Sequence, residues 1–334
     1  MIGRETLSEH ESDTLFEQIL RGDTDAAQLG AILAIIQSRG ATVDEIVGAA
    51  HAMRRHVSRV PVDGLQPGTV VLDTCGTGGA AKTFNISTCA AIVAASARPG
   101  RLAIAKHGNR SRSGRGSAEA LAHLGVNVDA SPATQAACLR RVGVCFCFAI
   151  HHHPAMKHAA GPRASLGVPT IFNLLGPLTN PAGATHQLMG VYHSELVRPV
   201  GEALARLGSV HALVVHSEDG LDEISPCAPT RAALVDGTSI TQITITPEDA
   251  GLERSPIDEI RATSLDEAGA MFRGVLEGHP GGPRNAVALN AAAALLVARL
   301  APSLKEGVSL ALRAIDSGDA ARTLEALVHA SHEA

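Results

Sequence analysis

The feature of this sequence that most constrains its fold is an alternation of short apolar runs with glycine loops and helical patterns, beginning near residue 69. The runs 69–72, 102–105 and 212–215 are rich in Val, Leu, Ile and Ala, and apolar residues recur at helical spacing after them. Strands that alternate with helices predict a mostly parallel sheet covered on both faces. Further strand candidates are 126–128, 144–150, 190–192 and, as an edge strand, 239–245.

The residues before this alternating segment have a purely helical pattern. Leu15, Ile19 and Leu20 form one apolar stripe at helical spacing. Thr42 and Glu45 stand at the spacing of a capping box and predict the start of another helix.

The segment 61–67, which contains Pro and Asp-Gly, separates these helices from the first strand. The C-terminal part of the chain, including the Ala- and Leu-rich run 286–300, again reads as helices. We therefore predict an α/β protein with a small N-terminal helical domain, residues 1–66, and a larger α/β domain, residues 67–334, whose mostly parallel central sheet is flanked by helices.

Composition narrows the classes of function. The chain has 334 residues and a net charge of −5, which argues against a broad surface for nucleic acid or anionic membranes. Its six cysteines form no CxxC pair and no zinc-site spacing, as is typical of small buried residues in a reducing cytosol. The N-terminus is polar, and no uncharged apolar run is long enough to span a membrane. We therefore expect a cytoplasmic protein without nucleic-acid or membrane partners.

A cationic loop, residues 106–117 (KHGNRSRSGRGS), follows the second strand. Its glycines let the backbone approach a ligand closely, its serines and amides donate hydrogen bonds, and its Lys and Arg side chains neutralise negative charge. The loop therefore predicts a polyanion site. A solvated charged loop is the alternative interpretation, because charge clusters usually face solvent.

A second glycine loop, residues 73–88 (DTCGTGGAAKTFNIST), follows the first strand and leads into a helix. Free N–H groups at a helix start favour phosphate, here near Asn85, Ser87 and Thr88. A tight turn with an ordinary N-cap is the alternative, since the loop is neither a P-loop nor a GxGxxG fingerprint. Ligands of parallel sheets bind beyond the carboxyl ends of the strands, so we expect both loops to hold one highly phosphorylated small molecule.

Two further segments follow strands and carry candidate ligands. Residues 151–158 (HHHPAMKH) form either the rim of a site or a polar strand end, and Arg163 beyond them is suited to grip a substrate carboxylate. Residues 216–225 (HSEDGLDEIS) form an acidic loop. Unless they only form an acidic turn, these carboxylates are natural Mg²⁺ ligands beside phosphate.

Taken in order, these segments resemble the anthranilate phosphoribosyltransferase family over nearly the whole chain. KHGNR and IFNLLGPLTNP are highly specific for this family, whereas GTGG alone is not. The matching stretches are DTCGTGG…TFNIST (73–88), KHGNRS…GSAEAL (106–121), HHPAMKHAAGPR (152–163), TIFNLLGPLTNPA (170–182) and DGLDEIS (219–225).

The resemblance implies a pentosyltransferase of tryptophan biosynthesis. Such an enzyme joins anthranilate to 5-phospho-α-D-ribose 1-diphosphate and releases pyrophosphate, with Mg²⁺ as cofactor. The resemblance also implies a homodimer formed through the helical domain, to which a later helical insertion near 165–185 would belong.

The resemblance also assigns residues to roles, without any covalent nucleophile. The donor would be held by Gly76, Gly79, Ala80, Thr83, Asn85, Ser87, Thr88, Lys106, His107, Gly108, Asn109, Arg110, Ser111, Ser113 and Ser117. Anthranilate would be bound by Gly76, Asn109, His152, Met156 and Arg163. Mg²⁺ would be bound by Ser87, Asp222 and Glu223.

The sequence departs from the family in both glycine loops. The family usually reads GTGGDG, whereas here Ala80-Ala81 follows GTGG; both loops are also one residue shorter than usual. Lys82, Arg112 and Arg115 add positive charge there. We therefore predict that, compared with the family, this protein neutralises pyrophosphate more by cationic side chains and less by metal. The Mg²⁺ dependence of the donor KM, measured alongside an Ala80→Asp variant, tests this prediction.

Three other functions stay open at this point. A pyrimidine-type nucleoside phosphorylase shares the distant fold, although the KHGNR and FNLLGPLTNP segments argue against it. A non-catalytic nucleic-acid-binding relative should have a basic surface, against the net charge of −5. A transferase acting on a modified anthranilate or another aromatic amine is compatible with the altered loops.

Overall fold

The computed structural model describes residues 5–78, 83–111 and 114–333. Three helices form the N-terminal region: α1 (Glu9–Arg21), α2 (Ala26–Arg39) and α3 (Val43–Arg55). The capping box of Thr42 and Glu45 is confirmed, and Ser8 with Glu11 forms a second one at the start of α1. In each box the side chains satisfy N–H groups that a helix start leaves free.

The central sheet has seven strands among the described residues, in the order β3-β2-β1-β4-β5-β6-β7. The first five are parallel, and β6 and β7 extend the sheet in antiparallel fashion. The strands are β1 (Val70–Gly76), β2 (Leu102–Gly108), β3 (Val144–Phe148), β4 (His186–Gly190), β5 (His211–Ser217), β6 (Thr230–Asp236) and β7 (Ser239–Ile245).

Several strand predictions need correction. The candidate 144–150 ends at Phe148, where a short helix begins, and the candidate 190–192 is displaced because the strand is His186–Gly190. The prediction of a strand at 126–128 is wrong. There the Val126 N–H bonds back to the Leu121 carbonyl, and the Asn127 N–H bonds to the Ser331 hydroxyl, so no sheet neighbour is needed. The edge strand 239–245 is confirmed.

Helices cover both faces of the sheet, and each face has its own apolar core. One core joins the N-terminal helices, through residues such as Phe16 and Leu33, to Met189 and Val214 on the sheet. The helices after β1 are α4 (Ile86–Ala97), α5 (Ser117–His123), α6 (Pro132–Arg141), α7 (Ala149–His152), α8 (Lys157–Leu166), α9 (Phe172–Leu175), α10 (Val197–Arg206), α11 (Leu265–Leu276), α12 (Gly282–Val297), α13 (Leu304–Asp316) and α14 (Asp319–His332).

The other core is built largely from alanine. Helix α12 buries its alanines against α4 and α13, as expected for a chain with 2% aromatic residues. Small side chains let helix axes approach closely, so helices and sheet pack without large rings. Among the described helices, none combines the length and the apolar character that a membrane span requires.

Candidate active site

Two glycines at the carboxyl ends of neighbouring strands let the acidic loop cross the edge of the sheet. Gly76 ends β1, and a Cβ atom there would lie 2.5 Å from Asp222 Oδ2. Gly190 ends β4, and a Cβ atom there would collide with the backbone carbonyl of Asp222. Glycine at both positions therefore lets the Asp222 carboxylate lie directly over the glycine loop 73–88.

Lys106 at the end of β2 joins this loop to the helix that follows it. Its buried ammonium group donates hydrogen bonds to the Thr74 carbonyl at 2.6 Å and to Ser87 Oγ at 3.3 Å. The Ser87 N–H donates in turn to Glu223 Oε1 at 3.0 Å, at the start of α4. The predicted residues Ser87, Lys106 and Glu223 are thus brought together in one network.

Asp222 completes this network, since its Oδ2 accepts a hydrogen bond from the Gly78 N–H at 3.2 Å. The negative charges of Asp222 and Glu223 are not balanced by the positive charge around them. Burial and then the neighbouring Asp222 charge raise the pKa of Glu223 to about 7, although Lys106 acts in the opposite direction. Burial also raises the pKa of Asp222. The site therefore favours an added cation.

The residues present fit Mg²⁺. Asp222, Glu223 and the Ser87 hydroxyl offer only oxygen ligands, which Mg²⁺ prefers. Among residues 5–78, 83–111 and 114–333 there is no cluster of three or more His, Cys, Asp or Glu that would enclose a metal. A site with one or two carboxylates suits Mg²⁺, which usually completes its shell with water and substrate phosphates.

The cationic loop folds back on itself after β2. The Asn109 carbonyl accepts hydrogen bonds from the Ser117 hydroxyl and the Ala118 N–H, both at 3.4 Å. Glu119 Oε2 accepts from the N–H groups of Gly116 at 3.0 Å and Ser111 at 3.4 Å. Part of this predicted polyanion loop is therefore held in shape by its own serine and by one carboxylate of α5.

Gly108 and Gly116 are required by this folding. A Cβ atom on Gly108 would collide with the Ser117 side chain, and one on Gly116 would lie 2.6 Å from the Asn109 carbonyl oxygen. The Arg110 side chain contacts β3, with its guanidinium 5.5 Å from the centroid of the Phe148 ring. The predicted residues Gly79, Ala80 and Ser113 lie outside the described residues, as do Lys82 and Arg112.

A strap formed by residues 260–262 connects the two glycine loops. Thr83 forms a β-bridge with Arg261, and the Phe84 N–H donates to the Ile260 carbonyl at 3.2 Å. On the other side, the Arg115 guanidinium donates to the Ala262 carbonyl. The Asn85 amide donates directly to the Arg115 carbonyl at 3.2 Å. Thr83 and Asn85 thus couple the loops, while Thr88 is buried within α4.

The three consecutive histidines have three different environments. His151 is exposed and contacts Asp129 Oδ1 at 2.7 Å, whereas His152 is buried with Nδ1 2.7 Å from the Ser58 carbonyl oxygen. His153 Nε2 lies 3.1 Å from Nε2 of the buried His107 in the cationic loop. Burial lowers the pKa of His153 to about 4 and the pKa of His107 well below its usual value, so both rings are neutral at pH 7.

Arg163 is half-buried on α8, and its guanidinium lies 5.3 Å from the centroid of the Phe172 ring. In the described part of the chain it has no hydrogen-bond or ion-pair partner, and burial lowers its pKa. Its planar fork is therefore available for a carboxylate. Met156 is half-buried and packs against the core of the N-terminal helices. No direct contact links Arg163 or Met156 to the network of Lys106 within the described residues.

Sequence reasoning missed three residues that shape the site. Asp73 is fully buried beneath the cationic loop and accepts a hydrogen bond from the His107 N–H at 2.9 Å; burial raises its pKa to about 6. The Thr77 hydroxyl accepts from the Tyr192 N–H at 2.9 Å. Glu119 holds the cationic loop, and its spacing from Gly116 is the one signal that the sequence offered.

Known proteins share this architecture. Residues 68–321 match the α/β domain of a glycosyl transferase family, and residues 1–57 match the helical bundle domain of the same family. The chain is 51% identical over 324 residues, 96% of its length, to the anthranilate phosphoribosyltransferase of Thioalkalivibrio sulfidiphilus and covers 94% of that protein.

Solved structures agree with this match. The anthranilate phosphoribosyltransferase of Thermus thermophilus is 39% identical with a TM-score of 0.90, over 98% of this chain and 97% of that one. The enzyme of Saccharomyces cerevisiae in complex with PRPP and Mg is 28% identical with a TM-score of 0.86, over 97% of this chain and 93% of that one. With both domains of the family present in order and half of its residues shared with a curated member, the chain belongs to the anthranilate phosphoribosyltransferases.

Proposed function

We propose that this chain transfers the 5-phosphoribosyl group of 5-phospho-α-D-ribose 1-diphosphate to the amine of anthranilate, with release of pyrophosphate. The observation that best supports this activity is the hydrogen-bond network at the carboxyl edge of the sheet. There Lys106 and Ser87 meet the Asp222–Glu223 pair, whose charge is uncompensated. Such a network suits a ligand that brings both phosphate and a divalent cation.

The charge requirements of the reaction match this network. Breaking the C1–O bond builds positive charge on the ribose and negative charge on the departing pyrophosphate. Mg²⁺ bound by Asp222, Glu223 and Ser87 would neutralise the diphosphate. Lys106 and the N–H groups of the glycine loops would add fixed donors whose positions are set before the reaction begins.

The acceptor is a weak aromatic amine that has to be positioned behind C1. We assign this positioning to Asn109 and to Arg163. The Arg163 guanidinium, which has no hydrogen-bond or ion-pair partner among the described residues, would bind the anthranilate carboxylate. His152 and Met156 would line the access route, and Gly76 would lie beneath both substrates. No covalent nucleophile is needed, and burial raises the pKa of Cys75 and Cys89 well above its usual value.

Mg²⁺ dependence, a homodimer formed through the helical domain and a cytoplasmic location belong to the same proposal. The complex of the yeast relative with PRPP and Mg supports the metal. The domain boundary at residue 66 and the helical insertion near 165–185 also stay proposals. The packing of α9, which lies within that insertion, against α3 supports the second of them.

A fluorescence assay that follows anthranilate consumption tests the proposal, with the donor and Mg²⁺ added in turn. We expect turnover only when both are present. No consumption at high enzyme concentration would refute the activity. Three further assays test the alternative functions. Thymidine or uridine with phosphate tests for a phosphorylase, and ring-substituted anthranilates test for a modified acceptor. A gel shift at physiological salt tests for nucleic-acid binding.

A further inference from the structure

A second cationic cavity lies away from the glycine loops, beside the starts of β4 and β5. Its volume is about 170 Å³, and its walls come from the end of α3, the segment 177–187 and the turn 207–209. The glycine loops follow the carboxyl ends of the strands, whereas Thr185 and Ser209 precede β4 and β5. The cavity is therefore separate from the proposed active site, and we call it the hinge cavity because α3 meets the α/β region there.

The hinge cavity carries positive charge without an acidic counterpart. Arg54 and Arg59 line it, and none of the lining residues is Asp or Glu. Neither arginine has an ion-pair partner in the described part of the chain, and Arg59 is exposed. Burial, and then the charge of Arg59, lower the pKa of Arg54. An anion between the two guanidinium groups would relieve this repulsion.

Hydrogen-bond donors remain available in the cavity. Arg54 donates through Nε to the Leu178 carbonyl at 3.0 Å and through Nη1 to the Leu207 carbonyl at 2.9 Å. Its Nη2 group has no hydrogen-bond partner among the described residues. Ser209 also lines the cavity, and its hydroxyl makes no hydrogen bond to another described residue. This hydroxyl can therefore donate its proton to an anion in the cavity.

We propose that the hinge cavity binds the phosphate group of a small molecule or inorganic phosphate, held by Arg54, Arg59 and Ser209. The volume supports this size, because an engineered cavity of about 150 Å³ holds one benzene molecule. A phosphate group fits such a space. Guanidinium groups bind phosphate by paired, charge-assisted hydrogen bonds.

The walls of the hinge cavity are connected to the proposed active site through direct contacts. Arg54 binds the Leu178 and Leu207 carbonyls, and one wall of the cavity begins at Pro177, directly after Gly176. The Gly176 backbone also contacts the ring of His107 in the cationic loop. A phosphate that stiffens this wall would stabilise the junction between the helical and α/β regions.

Calorimetric titration of the full chain with inorganic phosphate tests the proposal, after the glycine loops have been filled with donor and Mg²⁺ in the absence of anthranilate. We expect saturable phosphate binding to remain. Arg59→Gln should weaken it by about tenfold, the effect of losing one charge-assisted contact, and Arg59→Glu should remove it. Arg140→Gln is the matched control, since Arg140 is also exposed and has no ion-pair partner among the described residues.

Two results would overturn the proposal: no saturable binding once the donor is bound, or equal affinities in wild type, Arg59→Gln and Arg59→Glu. The proposal rests on the donor only as a blocking ligand. Failure of the donor to bind in the first titration would contradict the proposed function instead. Phosphate would then be titrated without it, and the Arg59 variants against Arg140→Gln would still decide.

Discussion

Two glutamates, Glu45 in the first turn of α3 and Glu223 in the acidic loop before β6, differ in how far the chain compensates their charge. Glu45 in the helical region is fully buried, yet its pKa is lowered, because Arg39 and the N–H groups of Leu7 and Thr42 outweigh the effect of burial. Glu223 at the sheet edge has a pKa raised to about 7. The first carboxylate is compensated within the chain, whereas the second is left for a ligand to compensate.

The largest effect is expected from neutralising the uncompensated pair. Asp222→Asn combined with Glu223→Gln should lower kcat at least about a thousandfold, since a catalytic metal supplies several kcal/mol of charge stabilisation. The fold should stay intact, as checked by circular dichroism. Glu218→Gln in the same acidic loop is the control, because Glu218 is exposed. An unchanged kcat in the double variant would rule out the metal role.

Neutralising Glu45, the compensated glutamate, should lower stability and leave kcat unchanged. Glu45→Gln leaves Arg39 without its buried partner and should lower the free energy of unfolding by about 3–5 kcal/mol. Urea denaturation measures this loss, while kcat of the folded fraction should stay the same. Glu9→Gln, which removes an exposed pair with Arg206, should cost about 1 kcal/mol or less. Equal losses in both variants would show that Glu45 is not specially compensated.

The two glutamates should also give opposite pH dependences of stability in metal-free buffer. Glu45 contributes stability above its unfolded pKa of 4.5, and this contribution is lost as pH falls through its lowered folded pKa. For Glu223 the folded state holds the extra proton between pH 4.5 and about 7, so stability falls as pH rises through that window.

Melting temperatures at pH 5 and pH 8 with EDTA check this contrast. Glu223→Gln should raise Tm relative to wild type at pH 8 and change it little at pH 5. Glu45→Gln should lower Tm at both values, since both lie above 4.5. A Glu223→Gln protein that is less stable than wild type at pH 8 would mean that this carboxylate is already compensated.

A smaller effect is expected at the strap between the loops. Arg115→Gln removes the hydrogen bond to the Ala262 carbonyl and should raise the donor KM by about threefold to tenfold with little change in Tm, since one such bond contributes roughly 1 kcal/mol. Steady-state kinetics at saturating anthranilate measure this. Arg313→Gln, at an exposed position on α13, is the control. If it raised the donor KM to the same extent, the effect of Arg115→Gln would be one of net charge alone.

Sequence reasoning was strongest where local patterns decide the structure. The Thr42–Glu45 capping box and the strands β1, β2 and β5 follow from local pattern alone. Strand β6 and the course of residues 126–128 were missed, because both depend on distant partners: β6 on β5 and β7, and Asn127 on Ser331. Hydrogen bonds across such separations leave no periodic signal in a single sequence.

The site divides in the same way. Ser87, Lys106 and Glu223 were expected to be neighbours because parallel strands end at one edge. The buried His107–His153 contact, the Asp73 hydrogen bond to the cationic loop and the strap at Ala262 were not expected. Each joins segments that are distant in sequence, and their geometry follows from packing of the whole chain.

The most direct test of the account is proton release on donor binding at pH 6.5. Calorimetry in buffers of different ionisation enthalpy measures it, with Mg²⁺ present and anthranilate absent. Wild type should release more protons than Glu223→Gln, because the cation displaces the proton that the raised pKa of Glu223 retains. Equal release from the two proteins would contradict the claim that the charge of Glu223 is compensated only by a cation that binds with the donor.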